Sequence, residues 1–343
     1  MKRARPLAFL LLIAASGFGG LFADEGRIPI AAPTTILGPG SYVVTRDISV
    51  SSGSAITIQA SQVTIDLNGR TLTSTSGIDP VIAVPDGSDH ISIANGRLVG
   101  GSTGIAAVST TGVVLRLESL EVVGAATDAI QVVGGLSVDV SRCTVRHVGA
   151  SGLYATGQSP GGALPLSARL VGNDFTDLAG YGIVLAGARN SEIRGNILTR
   201  VRANGIQVEG PDAGANLIVE NAVTGVLALG PQVGIVVDFG SSNNLVLNNA
   251  VRDFANGILV WSNGNRLAGN VVGGSVVSGQ LTGNALYVIG SRTLIEGNHL
   301  EGNAACGIFF GTASHAYRNN MLRGNVGGGV CGTANTDAGG NIL

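Results

Sequence analysis

Charged side chains are scarce in this sequence, and lysine is almost missing. Charged residues make up 12% of the 343 residues, about half the share of an ordinary soluble domain. The one lysine is Lys2, so loss of the N-terminus would exclude any mechanism that needs a lysine base or a Schiff base. The other basic residues are dispersed. This argues against nucleic acid as a partner, because phosphate contacts need clustered cations.

Residues 1–23 have the pattern of a cleavable signal peptide. Three basic residues precede an apolar stretch from Leu7 to Phe22, and Ala23 is a suitable cleavage site. Cleavage would lower the formal net charge from −2 to −5, because three of the 20 basic residues leave and all 22 acidic residues remain. We therefore expect a secreted, periplasmic or cell-surface protein. An uncleaved anchor is the alternative, and no later apolar run looks transmembrane.

Glycine, by contrast, is abundant, with 54 residues, and it marks an internal repeat. A short apolar strand recurs, mostly every 22 to 25 residues, and usually opens with glycine. A second unit places an asparagine in a tight turn between these strands. The repeated strands open at Val81, Gly104, Ala129, Gly152, Gly182, Gly205, Gly234, Gly257, Ala285, Gly307 and Gly329. The turn asparagines are Asn173, Asn196, Asn221, Asn249, Asn270, Asn298 and Asn320.

This repeat predicts a stack of coils. A five-residue strand cannot bury its apolar face alone, but coils about 4.8 Å apart give every strand two parallel neighbours and enclose a common core. Stacked asparagines can hydrogen-bond from coil to coil, so we interpret the asparagine column as structural. The predicted fold is all-β, a single-stranded parallel β-helix solenoid of about 12 coils.

The coils resemble the PbH1 repeats of the pectin-lyase-like superfamily, over roughly residues 40–340. The segments 38–42, Gly-Pro-Gly-Ser-Tyr, and 63–69, Val-Thr-Ile-Asp-Leu-Asn-Gly, are similar to the first coils of secreted bacterial members. The resemblance implies a right-handed helix. We predict a signal peptide at 1–23, an N-terminal cap at 24–53 and a β-helix domain at 54–343.

Strand alternation identifies the residues that face outward. Glu209, Asp238 and Trp261 occupy one outward column on three successive coils, which would hold the two carboxylates about 5 Å apart. Such a pair can divide acid and nucleophile or base roles on a sugar, so Glu209 and Asp238 are the candidate catalytic residues. Trp261, the only tryptophan, is a candidate platform for a sugar ring. The alternative is that both carboxylates are simply solvated.

Three more residues, Gln207, Leu259 and Tyr287, are predicted beside this column as substrate-binding residues. Three coils are longer than the rest, with extra residues near 157–167, 226–233 and 273–283. Long loops on one region of a solenoid commonly shape its binding face, although neutral insertions are also tolerated.

Cofactor signals are weak. Asp79, Asp86, Asp89 and His90 cluster near the second coil, where oxygen ligands could hold Ca²⁺. A polar turn explains them better, so no metal and no other cofactor is predicted. No serine-nucleophile motif, phosphate-binding loop or dinucleotide fingerprint occurs in its required context.

The three cysteines predict no disulfide. Cys306 falls at a turn position and Cys331 at an outward strand position of the next coil. This offset would separate their Cα atoms by more than about 7 Å, too far for an unstrained bridge. Cys143 falls in the asparagine column and is predicted to be a small turn or core residue.

Two functions remain open from the sequence. One is a protein that binds, or both binds and processes, an extracellular polysaccharide or cell-surface glycan; an enzyme of this kind would be a lyase, hydrolase or epimerase. The other is a non-catalytic structural or envelope protein whose rigid coil is the functional object. The resemblance does not choose, because the superfamily contains enzymes of all these classes and coils without known activity. The sequence does not define an oligomeric state.

Overall fold

The computed structural model describes residues 26–211, 213–226 and 232–343. The predicted signal peptide lies outside this part. The described chain forms a parallel β solenoid of about 12 turns and contains no helix, which confirms the predicted fold class. It accordingly contains no helix long and apolar enough to span a membrane.

Three parallel sheets form the walls of the solenoid. They share edges, because the strands Ile91–Gly100, Ile105–Val123 and Ile130–Ser141 continue around the corners between sheets. Strands in the same sheet come from successive coils and pair in parallel, as in Ile206–Glu209 with Val233–Val237. The repeat in the sequence therefore becomes a repeat in space.

The other strands of each sheet are as follows. The first sheet contains Thr34–Ile36, Ile56–Ile58, Ile82–Val84, Leu153–Thr156, Ile183–Ala186, Ile206–Glu209, Val233–Val237, Asn256–Val260, Leu286–Val288, Cys306–Phe310 and Gly328–Gly332. The second contains Ile28–Ile30, Gly40–Val44, Val63–Asp66, Ser167–Val171, Glu192–Arg194, Leu217–Val219, Leu245–Leu247, Arg266–Ala268, Leu294–Glu296, Ala316–Arg318 and Thr336–Asp337. The third contains Ile48–Val50, Thr71–Ser74, Thr144–Val148, Asp174–Leu178, Ile197–Val201, Ala222–Gly225, Ala250–Arg252, Val271–Gly273, His299–Glu301 and Met321–Arg323.

The core runs along the axis of the solenoid. Ile206, Ile235 and Ile258 stack in register and are fully buried, as strand alternation predicts. The segment 24–53, predicted as a cap, already supplies strands to all three sheets in its described part. Its strand Thr34–Ile36 pairs with Ile56–Ile58 and extends the first sheet by one coil.

A ladder of buried asparagines follows the corner between the second and third sheets. The Asn221 side-chain amide donates to Oδ1 of Asn249 at 2.9 Å, and the Asn249 amide donates to Oδ1 of Asn270 at 3.0 Å. The ladder runs from Asn173 to Asn341 with the same geometry. The side-chain hydrogen bonds satisfy amides that would otherwise cost free energy when buried. The structural interpretation of this column is confirmed.

The prediction for two of the cysteines is wrong, since Cys306 and Cys331 form a disulfide with a Cα–Cα distance of 6.1 Å. The prediction took their separation from the strand register, and that register is present, since Cys331 pairs with Phe309. The chain bends, however, at the start of the strand Gly328–Gly332, where Gly328 has a φ of +109°. A side chain at Gly327 would come within 3.2 Å of the Cys306 sulfur, so this bend depends on glycine.

Cys143 is free and buried, as predicted. Its backbone N–H donates to Oδ1 of Asn173 at 2.9 Å, which places it at the start of the asparagine ladder. Burial raises the pKa of its thiol to about 11, so the sulfur is a neutral packing group.

Candidate functional site

The candidate site residues lie where three neighbouring strands of the first sheet end. Glu209 is the last residue of its strand, and Asp238 and Trp261 directly follow theirs. The Asp238 backbone N–H donates to the Val208 carbonyl at 2.9 Å, and the Trp261 N–H donates to the Val237 carbonyl at 2.8 Å. These bonds continue the parallel ladder by one residue. Glu209, Asp238 and Trp261 therefore lie side by side on successive coils, in the outward column expected from the sequence.

A groove of about 710 Å³ opens beside this column. Trp261 is 47% exposed and Phe239 is 80% exposed, and both line the groove with Asp238. On the later coils Ile289 and Thr312 continue the wall. An open groove with two exposed aromatic rings and a carboxylate has the lining expected of a ligand site.

Phe239 was missed by the sequence reasoning. It lies in the turn, two residues after the strand Val233–Val237 ends, where strand alternation no longer predicts direction. A usable signal was its composition: aromatic residues are 4% of the chain, yet this one lies directly after a candidate site residue.

A second groove, of about 370 Å³, adjoins the first. Asp238 and Phe239 line both, while Glu209, Gln158 and Pro211 line only the second. Gln158 belongs to a two-stranded hairpin, Gln158–Ser159 with Gly162–Ala163, formed by the first of the long loops. That loop therefore borders the site. Much of the loop at 226–233 lies outside the described residues.

Gln207 supports Glu209 and does not line either groove. Its amide Nε2 donates to Oε2 of Glu209 at 2.5 Å, and its Oε1 accepts from the Asn204 amide at 2.8 Å. Gln207 thus orients the carboxylate, and its contact with a substrate stays a prediction. Burial, together with the nearby charges of Glu209 and Asp128, raises the pKa of Tyr154.

Leu259 and Tyr287, both predicted as substrate-binding residues, line neither of the two grooves. They pack with Val233, Val236 and Leu281 in a second apolar cluster on the outer side of the sheet. Leu259 is 9% exposed, and Val236, expected at the solvent face, is 4% exposed. The cause is the hairpin Val277–Ser278 with Leu281–Thr282, which lays Leu281 over these residues.

Asp79, Asp86 and Asp89, the acidic residues near the second coil, accept hydrogen bonds from neighbouring turns and strands. Asp79 accepts from the Ser76 hydroxyl at 2.7 Å and the Gly53 N–H at 2.8 Å, and these bonds lower its pKa. Asp86 accepts from the Thr110 hydroxyl at 2.6 Å, and Asp89 from the Val114 N–H at 2.8 Å. Among the described residues, no three His, Cys, Asp or Glu side chains form a group that could hold a metal ion.

The family of the chain follows from its sequence. The sequence model described as the right-handed beta helix region matches residues 84–272 and 128–342, which together span more than half of the chain. The chain belongs to this family, and the predicted resemblance and its right-handed fold are confirmed. No curated protein sequence matches the chain.

Solved structures share the fold at low sequence identity. The A-module of the mannuronan C-5 epimerase AlgE6 from Azotobacter vinelandii is 16% identical, with a TM-score of 0.65 over 92% of this chain and 91% of that chain. A variant of the periplasmic alginate epimerase AlgG is 12% identical, with a TM-score of 0.51 over 87% and 78%. The catalytic domain of a GH87 α-1,3-glucanase is 11% identical, with a TM-score of 0.52 over 92% and 64%. At these identities the likeness shows the fold alone.

Proposed function

We propose that this protein binds a polysaccharide in the groove beside Asp238, Phe239 and Trp261. The observation that carries the proposal is the pair of exposed aromatic rings on one open groove. Sugar rings present apolar C–H faces that stack on aromatic rings, and their hydroxyls donate to carboxylates. The similar structures named as alginate epimerases and an α-1,3-glucanase support a polysaccharide as the ligand.

A catalytic role for Glu209 and Asp238 is a second part of this proposal. The two residues extend from neighbouring backbones, which in a parallel sheet lie about 4.8 Å apart. Carboxyl groups about 5 to 5.5 Å apart let one protonate a glycosidic oxygen while the other attacks the sugar, and this spacing supports the pair as catalytic candidates. Glu209 is oriented by Gln207, as a reacting group requires. The competing function, a non-catalytic envelope or surface coil, is favoured by the low share of charged residues, 12% of the chain.

The binding test is a screen of polysaccharides against the protein, followed by Trp261→Ala. Loss of an aromatic platform should cost about 1 kcal/mol or more, which is about fivefold in Kd. Tyr181→Ala is the matched control, because Tyr181 is 39% exposed but lines neither groove. If Trp261→Ala binds as well as the unmodified protein, the groove is not the site; if no polysaccharide binds, the structural function remains.

The catalytic test uses Glu209→Gln and Asp238→Asn. Each keeps the shape of the side chain and removes its charge and its proton transfer, so turnover should be lost while most of the binding remains. A polysaccharide that binds at Trp261 but is never cleaved or epimerised would restrict the function to binding.

Export is proposed on the sequence alone, since residues 1–23 lie outside the described residues. Mature protein from its own host is expected to begin at or near Asp24, and Edman or mass-spectrometric sequencing of its N-terminus would show this. A retained Lys2 would indicate an anchor instead.

A further inference from the structure

We infer that the groove selects an uncharged glycan and rejects polyuronates. The inference rests on the proposed function and adds to it the class of sugar. It is drawn from where the protein places its cations, and it runs against the alginate substrates of the similar epimerases.

The first sheet carries no basic residue. No residue paired within this sheet is arginine, lysine or histidine, since Arg116 of the long strand Ile105–Val123 lies in its second-sheet part, opposite Ser92 and Asp139. None of the described residues that line the two grooves is basic. The undescribed positions inside the coil, 212 and 227–231, add no basic residue by sequence. The second and third sheets differ: arginine occurs in strands such as Glu192–Arg194, Arg266–Ala268 and Met321–Arg323.

The groove carboxylates are also not neutralised by arginine. Glu209 bonds to the Gln207 amide, and the Asp238 carboxylate accepts only from the Phe239 N–H, at 2.6 Å, within the described chain. On the second sheet, by contrast, Glu296 lies between Arg266, at 2.6 Å, and Arg318, at 2.7 Å. A polyuronate bound across the two adjoining grooves would therefore meet two negative charges and no basic lining residue, while the hydroxyls of a neutral sugar can donate to both carboxylates.

Two arginines beside the grooves add no positive charge to the residues that line them. Arg189 lines a separate groove, which shares Pro211, Gly240 and Ser242 with the two site grooves, and it is engaged in an interaction of its own. Arg292 follows the groove residue Ser291 but does not line the groove. Neither residue lies in the wall where a sugar would stack on Trp261.

The test compares each acidic polysaccharide with its own neutral ester. Polygalacturonate and its methyl ester, alginate and its propylene glycol ester, and neutral β- and α-glucans are measured for Kd at low salt, about 10 mM, and at about 500 mM. We expect at least one uncharged probe to bind about tenfold or more tightly than any polyuronate at low salt. The ratio should shrink at high salt, where charges about 10 Å apart are screened.

The double variant Glu209→Gln with Asp238→Asn assigns the discrimination to the groove. In this variant, the ratio of the Kd for the polyuronate to the Kd for its ester should fall several-fold, towards one. The control Glu220→Gln with Glu301→Gln changes the net charge equally, on exposed carboxylates of the other two sheets, and should leave the ratio unchanged. An equal change in both variants would overturn the inference, because net charge alone would then explain the selectivity.

The outcomes separate the two proposals. A polyuronate that binds as tightly as every uncharged probe, with loss on Trp261→Ala, overturns the inference and leaves the proposed function in place. Absence of binding to all probes, charged and uncharged, overturns both.

Discussion

The outer faces of the first and second sheets differ, although their inner faces are alike. Inside, both carry stacked Ile, Val and Leu, as at Ile235 in the first sheet and Ile218 in the second. Outside, the second sheet presents carboxylates paired with arginine, such as Glu296, while the first presents aromatic rings, unpaired carboxylates and two hairpins. The solenoid thus fixes only the inner face. The outer faces can vary, and the face whose charges lack partners is the one suited to a ligand.

The inner face should give the largest effect. Ile235→Asp places an unpaired charge between coils and should cost about 4 kcal/mol or more of unfolding free energy, or prevent folding. Val236→Asp is one residue later on the outer side. Because Val236 is covered by the second apolar cluster, we expect an intermediate cost of about 2 kcal/mol. Urea unfolding measures both, and equal costs would contradict the assigned register.

The asparagine ladder should come next. Asn249→Ala removes the Oδ1 that accepts both the backbone N–H and the side-chain amide of Asn221. Two buried donors would lose their partner, at about 1–3 kcal/mol each. Thermal unfolding of Asn249→Ala, compared with that of Asn190→Ala at an exposed position, would test this. A ladder residue no more sensitive than the exposed one would show that the column is not a stabilising element.

The smallest predicted effects are changes in unfolding free energy when a single carboxylate charge is removed from either outer face. Arg318 and Arg266 hold the pKa of Glu296 below its ordinary value, so its contribution to stability is fully present above pH 4.5 and is lost as the pH falls through its folded-state pKa. Glu296→Gln should cost less than about 1 kcal/mol at pH 7 and flatten the stability profile below pH 4.5. Glu209→Gln removes an unpaired charge, and we expect no loss of stability. Destabilisation by Glu209→Gln as large as that by Glu296→Gln would remove the contrast between the faces.

The inner face could be predicted from the sequence because strand alternation acts over a few residues and the coil repeat recurs visibly, mostly every 22 to 25 residues. Ile206, Ile235 and the stacked asparagines lie as expected for that reason. The outer face could not, because it depends on contacts between segments far apart along the coil. Leu259 lies under a hairpin that strand alternation does not describe, and Phe239 lies in a turn beyond its strand.

The disulfide shows the same limit at the C-terminal end. Its two cysteines meet because the glycines at 327 and 328 bend the chain, and the register of an extended strand contains no information on that bend. Glu209 and Asp238 were found because they lie on or directly after a strand, where alternation still applies.

Hydrogen exchange with and without a bound neutral polysaccharide tests the central claim most directly. The account predicts slower exchange at 238–242, 261–263 and 289–291, around the groove of the first sheet. It predicts no change in the second-sheet strands Arg266–Ala268, Leu294–Glu296 and Ala316–Arg318, which carry Glu296 and its two arginines. Protection on the second sheet, with none around Trp261, would contradict the assignment of the ligand face.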